Sequence, residues 1–441
     1  MDFSTYKYLL KYSLVKSKSL NVYLNAIRNQ HLPKDELEKI SWNKTLKILN
    51  YAFENVPWYY EKYSAIGLNP KDITKPKHFN QIPIITRSDL SNHFDEFISN
   101  KANPKSLKVS TTGGSSGVPI KIGMQKYGIR ESQKWQMYSW WGLSPSVNMA
   151  SIYRGVPVES LKKVALNFIN WPQKVIRLDA TQISEEKIVK FIEQCKKVKP
   201  KLIHGYVGGL DAIADYIIDN DIDFPTPKVI WSTAAPLTLI QEEKISKAFN
   251  APICDQYGCS EVYFISAECK CKNGLHIFSD AVKVEFLDEF NEQVKTNEYG
   301  KIVLTNLDEF HFPLIRYENG DRGRLLNNKC NCGMSHPLMD KVKGRISDNI
   351  ILPDGTILAG EYLTTIFDDF TDSVKQFQII QKKDKSIQVK IVLTQLDKLE
   401  NIQNSIYNEL LGKIRNQVGL DIQFVNEVLS IKGKLQFIIK E

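Results

Sequence analysis

The 441 residues contain no run of 18 or more apolar side chains, so no segment is built to cross a bilayer as a helix. The first twenty residues, MDFSTYKYLLKYSLVKSKSL, scatter Lys among Leu and Tyr. They lack the uninterrupted apolar stretch and small-residue cleavage site of an export signal, so the expected location is cytoplasmic. There is no internal repeat or low-complexity tract, and the 42% apolar and 24% charged fractions are globular averages, which excludes a disordered or collagenous chain. The excess of 58 basic over 50 acidic residues, +8, is too dilute at this length to form a nucleic-acid platform, so no nucleic-acid partner is expected. Seven cysteines without an export signal are expected as thiols rather than bridges.

What is present points to more than one core, since domains usually run to about 100–200 residues. Aromatics and lysines from Phe3 to Tyr23 suit a surface helix, with contact to an anionic membrane surface as the minor alternative. From Leu37 to Tyr63, apolar residues recur at steps near three and four, predicting a helix that stops just before Pro57. From Val175 to Cys254, strands (VIRL, KLIHGY, KVIW, APIC) alternate with helices, the signature of a parallel α/β sheet. Ser184 is placed to cap the first of these helices, and Ile188, Phe191, Ile192 and Cys195 share its inner face, making Cys195 a core residue. After Leu275 the texture is strand-rich (VKVEFL, KIVLTNL, FPLIRY). Beyond Gly344, two strands, a helix over about 398–418 and final strands form an appended α+β domain.

Four segments have the composition of chemistry. Ser110-Thr-Thr-Gly-Gly-Ser-Ser-Gly-Val-Pro-Ile-Lys121 combines glycines that admit an anion to the backbone, hydroxyl donors and a lysine. It lacks the Gly-Lys-Ser/Thr ending of a Walker loop, and a flexible Ser/Gly loop is the alternative. Asp255-Gln-Tyr-Gly-Cys-Ser-Glu261 follows a strand directly, where α/β sheets bind ligands. There Tyr257 suits a base and Glu261 a hard cation such as Mg²⁺. Tyr317-Glu-Asn-Gly-Asp321-Arg-Gly reads as a turn presenting an acid to ribose hydroxyls, and Gly344-Arg345-Ile-Ser-Asp348 as a charged hinge. Taken singly, each of these last three also fits an ordinary turn.

Together and in this order, the four resemble the adenylate-forming superfamily of acyl-CoA synthetases and adenylation domains, from about Ser110 to Lys434. The chain looks most like its phenylacetate-CoA ligase branch, which includes capsular polysaccharide biosynthesis (CapK-type) proteins. The compact length, the opening ILNYAFENVPWYYEKY and the TTGG form of the loop support this. The resemblance implies an α/β fold: a large N-terminal ATP- and carboxylate-binding domain with mixed sheets and helices (1–343), joined by a hinge to a small mobile α+β domain (344–441). It implies an ATP-dependent ligase that makes an acyl-AMP from a small carboxylic acid and passes the acyl group to CoA or to an amine or amino-sugar acceptor. ATP and Mg²⁺ are required and CoA is optional, with a homodimer as a further arrangement to consider.

By the same resemblance, Thr111, Thr112, Gly113, Gly114, Ser115, Ser116, Gly117 and Lys121 hold phosphates. Ala235 and Pro236, in STAAPL, flank the adenine with Asp255, Tyr257 and Gly258. Glu261 takes the Mg²⁺, Asp321 the ribose and Arg345 the ribose or α-phosphate, while Lys434 in SIKGKLQF bridges carboxylate and α-phosphate. Two departures stand out: Ser347-Asp348 replaces the usual acidic hinge pair, and the proline common before the lysine is absent. Apart from the resemblance, His204 in IHGY is expected at a strand end, where it would line the acid pocket. The competing class is a non-catalytic nucleotide-binding scaffold, against which the presence of Lys434, Glu261 and Asp321 argues.

Cys269-Lys-Cys271-Lys-Asn-Gly-Leu-His276 and Cys330-Asn-Cys332 offer four thiols and one imidazole, enough for a structural Cys₃His zinc site. Spacing alone leaves Cys269 and Cys271 as alternatives. The Ala-Glu-Cys pattern of the phenylacetate branch makes Cys269 the ligand, with His276, Cys330 and Cys332.

Overall fold

Proline sets the first boundary: α1 (Phe3–Asn29) and α2 (Lys34–Asn55) precede α3 (Pro57–Ala65), in which Pro57 holds the opening position where its missing N–H is harmless. The computed structural model describes every residue except 1–2, 112–119, 126–129, 154–169, 181–182, 343–349, 355–356, 359–362, 364, 371–372, 395–398, 415, 429, 432–433 and 436. Among these described residues, no helix is long and apolar enough to cross a membrane. They divide into two compact units: Met1–Pro145 with Gln256–Val342, and Ser146–Asp255 with Lys343–Glu441.

The second unit contains the predicted alternation. Strands β3 (Met149–Tyr153), β4 (Val175–Asp179), β5 (Leu202–Tyr206), β6 (Val229–Thr233) and the start of β7 (Ile253–Tyr257) are parallel in the order β4-β3-β5-β6-β7. Helices α6 (Glu185–Val198), α7 (Val207–Asp219) and α8 (Leu239–Phe249) connect them. Ile152, Phe191, Cys195, Ile213 and Ile253 lie in one buried cluster, so Cys195 is a core residue, and burial pushes its thiol up to about 12. Ser184 occupies the predicted cap position, but its side chain makes no capping hydrogen bond; the first-turn Glu185 and Glu186 face the helix dipole instead.

The same unit holds the C-terminal residues. A four-stranded sheet, ordered β18 (Leu420–Phe424), β17 (Ile387–Leu393), β16 (Val374–Gln381), β21 (Ile438–Lys440), packs with α9 (Leu399–Lys413) around Phe367, Phe377, Ile391, Ile406 and Leu410. The short pairs β14 (Ile350–Ile351) with β15 (Ile357–Leu358), and β19 (Ser430–Ile431) with β20 (Lys434–Leu435), complete it. The helix ends at Lys413, five residues before the expected limit, and Asn416 follows with a left-handed φ of 54°.

In the first unit, β1 (Leu107–Thr111) and β2 (Lys121–Gln125) pair antiparallel, with Thr111 opposite Lys121. Helices α4 (Arg87–Asn92) and α5 (Arg130–Trp140) lie on either side of them in sequence. The last residues of β7 pair antiparallel with β8 (Ser266–Glu268), and β9 (Leu275–Ile277) and β13 (Leu338–Met339) follow. A separate antiparallel sheet contains β10 (Val282–Leu287), β11 (Gly300–Asn306) and β12 (Tyr317–Gly323). Here the structure corrects two expectations. FPLI is not a strand, and YENGDRG is a strand rather than a turn: Glu318 pairs with Val303 and Arg322 with Lys301, so three residues of β12 oppose one of β11. Asn319, Gly320 and Asp321 form that bulge, and Gly320 supplies its left-handed φ of 84°.

Candidate active site and metal centre

Parallel strands joined by crossovers bring all their carboxyl ends to one edge, the position at which such sheets bind ligands. Tyr153, Tyr206 and Thr233 end their strands there, in register with one another. Ala235 and Pro236 follow β6 directly, after Ala234, whose φ of 75° is a left-handed conformation strained for a residue with a Cβ. Asp255 lies in β7 opposite Ser232 of β6. His204 sits mid-strand rather than at a strand end, buried with its ring edge-on to Tyr153 at 5.2 Å and to Trp231 at 6.1 Å. Tyr206 meets Tyr153 at 4.9 Å, so this edge of the sheet is aromatic.

Tyr257, the last residue of β7, reaches the bulge of β12. Its hydroxyl donates to Asp321 Oδ2 at 2.7 Å, while Asn319 Nδ2 donates to the Tyr257 oxygen at 2.7 Å and to Asp321 Oδ2 at 2.9 Å. Asn319 Oδ1 accepts the backbone N–H of Asp321 at 3.1 Å, closing the bulge on itself. Burial, and then the Asp321 charge, push the Tyr257 phenol well up, so it stays protonated and remains the donor. Sequence reasoning gave Asn319 no role, since it bridges Tyr257 and Asp321 only once the bulge has brought them together.

The loop after β7 turns sharply because the Tyr263 carbonyl packs onto Gly258 where any Cβ would stand. Cys259 N–H donates to Val262 O at 3.1 Å, and the thiol accepts from Val262 N–H at 3.3 Å, which sets Glu261 at the crest of the turn. Glu261 Oε1 accepts from the Tyr317 hydroxyl at 3.2 Å and lies 3.8 Å from Arg87 Nη1. Neither Tyr317 nor Arg87 was legible as a site residue, because each meets Glu261 only through tertiary packing. Arg316, also left with φ of 52°, is buried under the same strand: Nη2 lies 3.2 Å from Glu285 Oε1, and Nη1 donates to Ile82 O at 2.6 Å and Asn80 O at 2.9 Å. That clamp fixes the start of the strand carrying Asp321.

Lys121 opens β2, its ammonium 5.9 Å from the Phe94 ring, on a cavity of about 390 Å³. Thr111 ends β1, and Lys434 opens β20 opposite Ile431. Thr112, Gly113, Gly114, Ser115, Ser116 and Gly117 of the phosphate loop lie outside the described residues, as do Arg345, Ser347 and Asp348.

From two separate stretches of sequence, Cys269 and His276 converge with Cys330 and Cys332, with all four ligand atoms within 4.8 Å of one another. Cys271 is exposed and stands outside the group. Cys269 Sγ is 3.4 Å from Cys330 Sγ, far beyond a disulfide bond and close to the ~3.8 Å edge of a tetrahedron with ~2.3 Å metal–sulfur bonds. His276 Nε2 lies 3.3 Å from Cys332 Sγ, while its Nδ1 lies 3.2 Å from the His336 carbonyl. That carbonyl can only accept, so the proton sits on Nδ1 and leaves Nε2 free to ligate. Burial lowers His276 to about 4, holding the imidazole neutral, and raises the Cys269 thiol, so a bound cation is what would make the thiolate. The donor set of three sulfurs and one imidazole fits a structural metal.

The fold is that of the adenylate-forming ligases. The structure overlays on 2-hydroxyisobutyryl-CoA ligase in its postadenylation state with a TM-score of 0.79 at 15% identity, covering 94% of this chain and 91% of that one. The thioesterification state of the same ligase gives 0.64 over the same shares, and an amide bond synthetase from Marinactinospora thermotolerans gives 0.54 over 76% of this chain and 68% of its own, at 13% identity. By sequence the chain is a relative of CapK and of the phenylacetate-CoA ligases. Protein CapK of Staphylococcus aureus is 27% identical over 87% of this chain and 84% of its own length; phenylacetate-coenzyme A ligase of Escherichia coli is 23% identical over 89% and 91%. Residues 350–441 match the family model for the CapK C-terminal domain.

Proposed function

We propose that the protein is an ATP-dependent ligase that adenylates a small carboxylic acid and transfers the acyl group to an acceptor. The observation that carries this is the Tyr257–Asn319–Asp321 network, which holds a buried carboxylate on a strand bulge against the last residue of β7. Asp321 accepts from the ribose hydroxyls, and Ala235, Pro236 and Tyr257 flank the adenine. His204 and its aromatic neighbours wall the acid. An oxygen of the substrate carboxylate attacks the α-phosphorus, the bond from that phosphorus to the bridging oxygen breaks, and pyrophosphate leaves. Negative charge gathers on the transferring phosphoryl group, so catalysis rests on placed cations and amides, with Lys434, Arg345, Lys121 and the 111–117 loop in those roles. Mg²⁺ at Glu261 would neutralise charge between the phosphates. In the second step the acceptor attacks the acyl carbon, AMP departs and the acceptor proton passes to solvent.

The acceptor is CoA, as the names of the phenylacetate-coenzyme A ligases have it, or an amine on an amino acid or amino sugar, for which the fold's likeness to an amide bond synthetase leaves room. Residues 344–441 form the mobile lysine-bearing domain, and zinc occupies the Cys₃His group as a structural ion. Pyrophosphate exchange into ATP across a panel of carboxylic acids tests the first step. Exchange with at least one acid, reduced by about 100-fold or more in Lys434→Ala, is expected; no exchange and no ATP binding with any acid overturns the reading.

A further inference from the structure

Helices α7 and α8 carry a charged face that the proposed chemistry does not use. Lys244 of α8 lies 2.7 Å from Asp211 Oδ1 and 2.9 Å from Asp215 Oδ1, both on α7. The opening residues of β16 join the same carboxylates: Gln376 Nε2 donates to Asp211 Oδ2 at 2.9 Å, and Lys375 Nζ lies 3.3 Å from Asp215 Oδ1 and 4.0 Å from Asp219 Oδ2. One turn before Lys244, Ile240 is buried in the cluster formed by C-terminal residues, including Ile350, Leu363 and Phe377. The buried Ile240 and a shared set of carboxylates therefore tie described C-terminal residues to α7 and α8.

The chemistry of this tie is that of a reversible contact. The Asp211 side chain is 1% exposed and that of Lys244 is 12% exposed, and removing such charges from water costs nearly what their attraction returns. Burial raises Asp211 against the pull of Lys244; Lys244 is itself raised, because the two carboxylates together outweigh its own desolvation. If β16 leaves, Lys244 keeps Asp211 and Asp215, since all three stand on α7 and α8. No charge loses its last partner, and the charged part of the uncovered face is one that water solvates, with Ile240 uncovered beside it.

Building on the ligase reading above, we propose that Lys375 and Gln376 are positioning residues, which dock on Asp211, Asp215 and Asp219 to hold the C-terminal residues in the arrangement that serves adenylation and release them for acyl transfer.

The test separates the two half-reactions in the full-length protein, using Lys375→Ala combined with Gln376→Ala, and separately Gln376→Glu, which sets a second carboxylate against Asp211. Pyrophosphate exchange reports the first step, and release of AMP from supplied acyl-adenylate on addition of acceptor reports the second. Exchange is expected to fall at least about tenfold, with transfer unchanged or faster, Lys375→Arg close to the unsubstituted protein, and faster amide hydrogen exchange confined to residues 207–219 and 374–381. Equal loss of both steps, or loss of neither, in a protein that performs both overturns the docking role alone. An unsubstituted protein that performs neither step overturns the ligase reading, and this proposal with it.

Discussion

Asp321 and Tyr257 show how one side chain sets the chemistry of another. A phenol against a carboxylate normally risks sharing its proton, but here burial and the nearby charge both oppose the phenolate, so Tyr257 is fixed as donor and Asp321 as acceptor. Replacing Asp321 by Asn keeps an oxygen for the Tyr257 and Asn319 hydrogen bonds while removing the charge and one acceptor. Hydrogen bonds to a charged group are worth about 1.5–3 kcal/mol, so Asp321→Asn is expected to weaken ATP binding roughly 10- to 100-fold in calorimetry. Tyr257→Phe should cost less, since Asn319 still holds the carboxylate; equal affinity in both variants and the unsubstituted protein would remove the ribose assignment. The residue types of this pair were legible in the sequence. Asn319 was not, because its value lies in bridging two groups brought together by a bulge.

At the level of elements, two glycines of the candidate site make opposite demands. Gly258 has space for no Cβ, since the Tyr263 carbonyl fills it, whereas Gly320 has nothing within 4 Å of an added Cβ but a φ of 84°. Substitution at Gly258 must therefore displace backbone, and substitution at Gly320 need only bear a local strain of about 1–3 kcal/mol. Gly258→Ala is expected to lose roughly 3 kcal/mol or more in urea unfolding, and to lose activity beyond that by moving Glu261; Gly320→Ala should fold with the smaller deficit. A Gly258→Ala protein as stable as Gly320→Ala would contradict the packing argument. The sequence showed the elements of regular period well, among them the alternation from Val175 to Cys254. It misread Tyr317–Gly323 as a turn, because an Asn-Gly pair within a strand bulge has the same local signature as one in a hairpin loop.

The whole molecule depends on contacts between residues remote in the chain, and there the sequence was least complete. Lys244, Asp211 and Gln376 join the parallel sheet region and the C-terminal residues into one unit through side chains more than a hundred positions apart. The Cys/His group is the exception, since paired cysteines kept their signal across 61 residues. It ties the β8–β9 hairpin to the segment before β13, closing a long loop whose entropy the unfolded chain would otherwise regain. A metal there stabilises the folded state by its own binding free energy, because the unfolded chain holds no preformed site. The purified protein is therefore expected to contain one zinc per chain, and a strong chelator should lower its melting temperature by several degrees. Cys330→Ser should do the same without chelator, whereas Cys271→Ser should melt as the unsubstituted protein does, being exposed and outside the group. A metal-free sample that melts at the same temperature as the untreated one would show that the four side chains meet for packing alone.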